Sequence, residues 1–526
     1  MDTFARDRLP PQGQWPRLHF DLPELRYPER LNCATALLDE AIAEGHGDRP
    51  ALLADAGAVS YCDLLARANR IANVLAGAGV IPGNRVLLRG YNGVELFAAW
   101  LAVMKAGAIA VTTMPMLRAP ELTAIINKAE PAFALCDQRV LAELQSAAAG
   151  TQGLATIIAW GNGELESRMA AASDRFTNVD TASDDVCLLA FTSGTTGQPK
   201  ACMHFHRDVL AMADVVGRHL LQTAPGDIYA GSPPLGFTFG LGALLVFPLR
   251  FRAAVVPIEV PSPASILAAI EKHRVTCLFT APFAYRALAA EVGGRDLSSL
   301  TRCVSAGEYL PRDVSDLWHQ RTGIRIIDGI GATEMIHIFI SAAGEDIRPG
   351  ATGKPLPGYR ACVLDDTGQP LPNGSTGRLA VTGPTGCRYL DDARQLDYVQ
   401  GGWNVTGDIY RVDEDGYFWF VARADDMIVS AGYNIAGPEV EWALLAHEAV
   451  RECAVIGAPD PGRGMVVKAC IVLFPGRAGD AALVRELQDF VKQRIAPYKY
   501  PRMIEFVEAL PKTATGKLQR KALRQP

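Results

Sequence analysis

The sequence has 526 residues, of which 49% are hydrophobic and 21% are charged, and its formal net charge is −6. This length exceeds what one compact core usually holds, so we expect at least two domains. The negative charge argues against general affinity for nucleic acid, which needs a basic surface.

The N-terminal stretch MDTFARDRLPPQGQWPRL has no apolar core and is not predicted to be a secretory signal. The apolar residues 240–249 make up only about half the length of a membrane span. Eleven cysteines are scattered singly, with no C-x-x-C and no Cys/His cluster, which is typical of buried thiols in a reducing compartment. We therefore expect a cytoplasmic protein with no membrane partner.

Short apolar runs alternate with helical patterns through the first part of the chain. Residues 86–88 predict a strand, and the apolar side chains that follow recur at the spacing of one helix face: Phe97, Trp100, Leu101 and Met104. Further strand-like runs lie at residues 109–111, 133–136, 156–160, 277–280 and 302–305. This alternation predicts layered α/β structure.

The segment FTSGTTGQPK, residues 191–200, directly follows the apolar run 186–191. Backbone N–H groups of a glycine-rich turn can cradle phosphate oxygens, hydroxyl side chains can add donors, and Lys200 adds a positive charge. The spacing is not the Walker pattern, because no hydroxyl residue follows the lysine. The pattern predicts an oxyanion-binding loop, with an ordinary solvated turn as the alternative.

Three motifs follow before the texture changes: GFTFGLG at residues 236–242, SAGEYLP at 305–311 and DGIGATEM at 328–335. From about Gly353, glycine and proline become dense, and DDTGQP and DEDGYF have the composition of hairpin turns. This predicts a small β-rich section.

The C-terminal part carries TGD at residues 406–408, RADDMIVSAGYNI at 423–435 and PKTATGK at 511–517. Its apolar pattern predicts a helix from about Pro438, a helix containing Leu483 and Leu487, and strands near residues 453–457, 466–474 and 504–507. About 100 residues suffice for a separate small domain.

These motifs, in this order, resemble those of the adenylate-forming enzymes, which include acyl- and aryl-CoA synthetases, luciferases and peptide-synthetase adenylation domains. The resemblance implies an α/β fold whose large N-terminal domain, residues 1–422, combines layered α/β subdomains with a small β-barrel. It further implies a hinge at residues 423–425, about Asp425, and a small mobile α+β lid over residues 426–526. ATP, CoA and Mg²⁺ are the implied cofactors.

The resemblance also assigns roles to individual residues. It places the ATP phosphates on Thr192, Ser193, Gly194, Thr195, Thr196, Gly197 and Lys200, and the nucleotide base near Ala306, Gly307, Glu308, Asp328 and Gly329. Glu334, beside Thr333, is expected to hold Mg²⁺ with a hard oxygen ligand; a surface glutamate is the alternative. Asp408 and Arg423 are expected at the ribose, the alternatives being a turn aspartate and an interdomain ion pair.

Two residues of the C-terminal part are implied to serve different half-reactions. Lys517 would bridge the acid carboxylate and the α-phosphate and offset their repulsion, although a lysine so near the C-terminus can also be simply solvated. Gly432 would lie on a second face of the lid, where it lets pantetheine pass close to the backbone.

The sequence departs from many relatives at two points. Ile330 stands at the first position of the YGxTE motif, where many carry tyrosine, and Phe237 stands where many carry histidine. Both departures resemble the benzoate- and 2-aminobenzoate-CoA ligase branch. The expected acid pocket comprises Phe237, Thr238, Phe239, Gly331 and His337, with Gly329 and Gly331 leaving a flat slot. His337 either hydrogen-bonds the substrate or is an ordinary paired, buried histidine.

We therefore expect a ligase that converts a small aromatic carboxylate through an acyl-adenylate to its CoA thioester, as a monomer or homodimer. Two other enzymes remain open: an adenylation enzyme that loads a carrier-protein thiol, and a CoA ligase for a short or medium-chain aliphatic acid. A nucleotide sensor without catalysis is disfavoured because Lys517 is present.

Overall fold

The structure, a computed structural model, describes residues 1–151, 153–192, 199–430, 433–460, 464–513 and 518–524. Contacts divide the chain into two compact units, one of Met1–Ala361 and Val381–Asn404, the other of Cys362–Ala380 and Val405–Pro526. The predicted α/β class is confirmed. The predicted boundaries at residues 422 and 426 and the hinge between them stay predictions.

The first unit contains a six-stranded sheet in which five strands are parallel and the last is antiparallel. Most of its strand residues are buried, as expected for a parallel sheet covered on both faces. In spatial order the strands are Thr156–Trp160, Phe133–Asp137, Arg85–Arg89, Ile109–Thr113, Val186–Thr192 and Lys200–Phe205. The helices in this part of the chain are Tyr61–Gly77, Val94–Lys105, Ala119–Ala129, Leu141–Ala149 and Glu164–Ala170.

The same unit contains a nine-stranded sheet with a parallel centre and antiparallel edges. Its strands, in spatial order, are Lys354–Pro355, Ile338–Ser341, Ile326–Gly331, Arg302–Ala306, Cys277–Thr280, Ile228–Gly231, Ala254–Val255, Pro50–Ala54 and Gly57–Ser60. Helices Pro263–His273, Pro282–Glu291 and Arg312–Thr322 follow three of the parallel strands. Ala306 pairs with Gly329, so the carboxyl ends of two parallel strands meet at one edge, the usual place for a ligand.

The apolar residues 240–249 fold into consecutive short helical segments, Thr238–Leu241, Gly242–Val246 and Phe247–Arg250. Across the described residues, none of the helices combines the length and apolarity needed to traverse a bilayer. The remaining helical segments of this unit are Phe4–Asp7, Gln12–Gln14, Pro23–Leu25, Thr35–Asp39, Glu40–Ala43, Gln138–Val140, His206–Met212, Ala213–Leu220, Thr333–Met335, Gly344–Asp346 and Gln395–Tyr398.

The β-rich section appears where it was predicted, as the strands Arg360–Leu364, Thr376–Thr382, Val399–Gln400, Trp403–Val412 and Phe418–Arg423 of a five-stranded sheet. A second five-stranded sheet follows in the C-terminal unit, built from Ile428–Ser430, Tyr433–Ile435, Val450–Asp460, Gly464–Leu473 and Met503–Phe506. The helical segments of this unit are Ala424–Asp426, Gly437–Leu445, Ala481–Arg494, Pro497–Lys499 and Arg520–Leu523. Val440, Leu444, Val455, Ile471 and Leu487 form the centre of its core.

Candidate active site

The predicted phosphate loop connects two antiparallel strands of the six-stranded sheet. Thr192, the last residue of one strand, pairs with Lys200, the first residue of the next. Five of the predicted phosphate ligands lie outside the described residues, and their roles stay predictions: Ser193, Gly194, Thr195, Thr196 and Gly197. The paired strands therefore fix both ends of the loop.

Lys200 takes part in a compact cluster with a carboxylate and a phenol. Its Nζ lies 2.6 Å from the hydroxyl oxygen of Tyr389 and 3.4 Å from Oε1 of Glu334. The Tyr389 hydroxyl donates to the same Oε1. Burial, with the nearby Cys202 thiol and Glu334 carboxylate, raises the pKa of Tyr389, so its hydroxyl remains protonated.

Glu334 stands in a short 3₁₀ turn, Thr333–Met335, and the Thr385 hydroxyl donates to the carbonyl oxygen of Met335 at 2.8 Å. The carbonyl oxygen of Thr333 lies 2.8 Å from Nε2 of His204. Ile336, directly after the turn, has φ of 64° although it is β-branched and buried. Such backbone is rare for a β-branched residue and is typical of sites where the surrounding structure imposes a conformation.

The donor chemistry at Glu334 fits the predicted Mg²⁺. The residue is buried, with 7% exposure, so it is not a solvated surface glutamate. Its hydrogen bonds within the described residues all fall on Oε1, which leaves Oε2 for another partner. A hard divalent cation held by one carboxylate and by substrate phosphates is the usual arrangement for Mg²⁺.

The predicted adenine turn lies where strands Arg302–Ala306 and Ile326–Gly331 end side by side. Gly307 has φ of 90°, a conformation that favours glycine, and Glu308 follows it. Asp328 is partly exposed, but its Oδ1 is buried with no hydrogen-bond partner in the part of the chain described. An unpaired acceptor fits the amino group of a purine.

We expect Asp328→Asn to change how stability depends on pH. Burial raises the pKa of Asp328 to about 8, so at intermediate pH the folded chain keeps a proton that the unfolded chain releases. The free energy of unfolding therefore loses a contribution as pH rises from about 4 to about 8. Since asparagine does not titrate, the melting temperature of the wild type relative to the variant should fall over this range. A pH-independent difference would contradict the assignment.

The predicted acid pocket centres on His337, which is 3% exposed. Its Nε2 lies 3.3 Å from the Phe239 carbonyl oxygen, and its ring packs 5.6 Å from the Phe239 ring and edge-on at 4.7 Å from that of Phe247. Because a carbonyl can only accept, Nε2 carries the proton and Nδ1 is an acceptor. Nδ1 is buried without a partner among the described residues, and burial lowers the pKa of His337 to about 3.

Glycines leave room for this histidine and for the strand beside it. A Cβ on Gly242 would lie 2.5 Å from Cδ2 of His337, and one on Gly331 would lie 2.8 Å from the backbone of His337. A Cβ on Gly329 would meet Ile338 at 2.8 Å. Gly329 and Gly331 therefore serve close packing against the next strand, a role beyond the predicted open slot.

The segment that carries Phe237, Thr238 and Phe239 is anchored by a residue that sequence reasoning missed. Asn92 donates from Nδ2 to the carbonyl of Pro233 at 2.9 Å and accepts at Oδ1 from the N–H of Leu235 at 3.0 Å. Phe237 and Phe239 are partly exposed, whereas Thr238 is buried. No local motif marks Asn92, because its partners lie far along the chain.

Two predicted ribose ligands meet in the second unit. Asp408 and Arg423 are opposite each other on antiparallel strands, and Nη1 of Arg423 lies 3.0 Å from Oδ1 of Asp408. Burial raises the pKa of Asp408 even though Arg423 opposes the shift. The two residues form an ion pair within this sheet, and their roles at the ribose stay predictions.

The segment predicted to be the hinge forms its contacts within the second unit. Asp425 lies 3.4 Å from Nε of Arg423, and Arg524 donates to the Asp425 carbonyl and, at 2.6 Å, to the Asp426 carboxylate. Gly432 and Lys517 lie outside the described residues, so their roles stay predictions.

Two cysteines and a histidine that are far apart in the sequence come together in the folded chain. Cys33, Cys187 and His206 come together in the buried core, with their ligand atoms within 4.8 Å of one another, although the sequence shows no Cys/His cluster. Nδ1 of His206 lies 3.2 Å from both the Cys33 N–H and the Cys33 sulfur. The ring nitrogen is thus already hydrogen-bonded, and three donors fall short of a closed tetrahedral metal set.

Comparisons with known proteins identify the family of the chain. The family model described as AMP-binding enzyme matches residues 39–388, and that of the AMP-binding enzyme C-terminal domain matches residues 439–517. A benzoate–CoA ligase of Thauera aromatica is 36% identical over 512 residues, which cover 95% of this chain and 97% of that protein. The mitochondrial acyl-coenzyme A synthetase ACSM3 of Mus musculus is 35% identical over 487 residues, which cover 89% of this chain and 84% of that protein.

Among solved structures, the anthranilate CoA ligase AuaEII in complex with anthranoyl-AMP is similar with a TM-score of 0.90. The two sequences are 34% identical, and the match covers 95% of this chain and 98% of that chain.

Proposed function

The chain belongs to the AMP-binding enzyme family and is a ligase of the acyl- or aryl-CoA type, and from this premise we propose that its acid substrate is a small aromatic carboxylate. Benzoate and 2-aminobenzoate are the proposed substrates, and aryl-CoA, AMP and pyrophosphate are the proposed products. The relatives that support this are a benzoate–CoA ligase and an anthranilate CoA ligase.

The observation that carries the proposal is the unpaired acceptor of His337 amid aromatic rings. The neutral imidazole packs on Phe239 and Phe247, while its Nδ1 has no partner among the residues described. A flat ring can stack or pack edge-on with these aromatics, and an amino substituent can donate to Nδ1. Of the two proposed acids, 2-aminobenzoate satisfies this acceptor and benzoate does not.

In the proposed first half-reaction, Lys200 and the loop before it bind the phosphates, and Asp328 accepts from the adenine amino group. Lys517 stabilises the charge that builds up when the carboxylate attacks the α-phosphate. Glu334, through its free Oε2, would hold Mg²⁺, which neutralises phosphate charge when bound. In the second half-reaction, the CoA thiol attacks the acyl carbonyl and AMP leaves, with Gly432 proposed beside the pantetheine.

Two alternatives share the same first half-reaction. The match to an acyl-coenzyme A synthetase keeps an aliphatic acid open as substrate. The other alternative is a carrier-protein thiol in place of CoA as the acceptor of the acyl group. Mixing the protein with ATP, an acid and either CoA or a carrier protein shows which thiol accepts the acyl group. The cytoplasmic location and the choice between monomer and homodimer stay predictions.

The proposal is tested by comparing His337→Leu with the wild type on two acids. Removing Nδ1 should lower kcat/KM for 2-aminobenzoate roughly five- to tenfold more than for benzoate, because only the former loses a hydrogen bond. Benzoate, measured in the same variant, controls for changes in pocket shape. An unchanged ratio of the two kcat/KM values would show that Nδ1 does not contact the substituent.

A further inference from the structure

We propose that Tyr389 is a positioning residue that fixes the Glu334 carboxylate for the divalent cation. Its hydroxyl keeps donating a hydrogen bond to Oε1 of Glu334 while the Lys200 ammonium moves between that carboxylate and the nucleotide phosphates. The proposal deepens the proposed function and rests on it. Tyr389 lies in the segment GCRYL, outside every motif singled out in the sequence.

The hydroxyl of Tyr389 has a fixed position because the residue is held on all sides. Its side chain is 1% exposed, and its backbone N–H donates to Oε1 of Gln395 at 2.9 Å. Its backbone forms an isolated antiparallel β-bridge with Cys202 of the strand Lys200–Phe205. Its ring packs edge-on against that of Tyr398, with centroids 6.0 Å apart. A rigid donor of this kind can hold a carboxylate in one orientation.

The three polar groups form an ordered chain of hydrogen bonds. The Lys200 ammonium donates to the Tyr389 oxygen at 2.6 Å, and the Tyr389 hydroxyl donates to Oε1 of Glu334. The ammonium also lies 4.7 Å from the centroid of the Tyr389 ring, so hydroxyl and ring both contact it. The positive charge thus lies close to the buried carboxylate.

Binding of nucleotide is proposed to change the hydrogen bonds among Lys200, Tyr389 and Glu334. Lys200, at the end of the phosphate loop, is proposed to turn toward the phosphates, which removes the ammonium from Glu334. A buried carboxylate that loses its cation is costly unless it keeps hydrogen bonds and gains another cation. Tyr389 would keep Oε1 hydrogen-bonded and the carboxylate in one orientation, so that Glu334 could hold the divalent cation, which would supply the positive charge that the ammonium had supplied.

The experiment compares Tyr389→Phe with Tyr398→Phe in the full chain. Both changes remove one hydroxyl from neighbouring buried rings, but only Tyr389 donates to Glu334 within the described contacts. Binding of Mn²⁺ with a non-hydrolysable ATP analogue is followed by loss of the free Mn²⁺ spin-resonance signal. Pyrophosphate exchange is measured over a range of Mg²⁺ concentrations, and thermal melting checks folding.

For Tyr389→Phe we expect about tenfold weaker Mn²⁺ binding and a similarly raised half-saturating Mg²⁺ concentration, the size of one hydrogen bond to a charged group. The KM for the aryl acid should not change, and excess Mg²⁺ should restore most of the exchange rate. Tyr398→Phe should bind Mn²⁺ like the wild type.

Wild-type Mn²⁺ binding in Tyr389→Phe overturns the proposal, as does a rate loss that is equal at every Mg²⁺ concentration. If no aryl acid supports pyrophosphate exchange by the wild type, the proposed function is contradicted instead. The Mn²⁺ measurement then still tests the role of Tyr389. If Tyr389→Phe melts far below the wild type, Mn²⁺ binding of both proteins is measured at a temperature below the melting transition of the variant, where both are folded and the same difference of about tenfold is expected.

Discussion

Replacing Lys517 with alanine is expected to slow adenylate formation by about 10²-fold or more, while thioester formation from a supplied aryl-adenylate and CoA is retained. The physical reason is that the acid carboxylate and the α-phosphate are both anionic, and a cation between them is needed only while they react. A loss of 10²-fold corresponds to about 2.7 kcal/mol of transition-state stabilisation. Pyrophosphate exchange and single-turnover thioester formation measure the two steps separately.

Lys512→Ala provides the matched control for this experiment. Lys512 belongs to the same PKTATGK segment, but its Nζ is paired with Glu452 at 2.6 Å. This exposed ion pair should contribute little to either half-reaction. If Lys517→Ala forms adenylate at the wild-type rate, or loses both half-reactions equally, its assignment to the first step is wrong.

The second large effect is expected for Glu334→Gln. The substitution keeps the size of the side chain, but it replaces one acceptor oxygen by an NH2 donor and removes the charge that is proposed to hold Mg²⁺ and that lies 3.4 Å from Lys200. We expect adenylate formation to fall by about 10²-fold, because both the cation and the lysine lose their anionic partner. The rate of thioester formation from supplied adenylate should fall much less, since pyrophosphate chemistry is already complete.

Glu345→Gln is the control, because this substitution makes the same change of charge at an exposed residue. Glu345 lies in the 3₁₀ turn Gly344–Asp346, which follows shortly after Glu334 in the sequence. Thermal melting should show both variants folded. Equal rates of adenylate formation for Glu334→Gln and Glu345→Gln would exclude Glu334 from the nucleotide site.

The elements that sequence analysis located well are those with a local signal. Apolar periodicity placed the strand at residues 86–88 inside Arg85–Arg89 and the helix stripe of Phe97 inside Val94–Lys105. The helix expected from about Pro438 runs as Gly437–Leu445. Burial of one face dictates such patterns, so a single sequence reveals them.

The parts of the site that were missed depend on contacts between distant residues. Tyr389 meets a lysine 189 positions away, and Asn92 anchors Pro233 across 141 positions. Phe247 lies in the apolar stretch that sequence analysis examined only as a membrane candidate, yet its ring packs against His337. No local spacing encodes these encounters, which arise only when the sheets assemble.

The two interpretations of His337 that the sequence left open are not exclusive in the folded chain. One ring nitrogen is paired with the Phe239 carbonyl, as in an ordinary buried histidine. The other is unpaired among the described residues, as in a residue awaiting a ligand. Residue type and neighbours alone could not distinguish these roles, because the distinction lies in which nitrogen faces the carbonyl.

The most direct test of the central claim is a competition among three acids in one reaction. The wild type is incubated with ATP, Mg²⁺, CoA and equal concentrations of 2-aminobenzoate, benzoate and decanoate, and the thioesters formed at early times are separated by mass. We predict that 2-aminobenzoyl-CoA and benzoyl-CoA together exceed decanoyl-CoA by at least about tenfold, which corresponds to about 1.4 kcal/mol of transition-state binding. Decanoyl-CoA as the main product would contradict the aromatic assignment and leave an aliphatic acid:CoA ligase in its place.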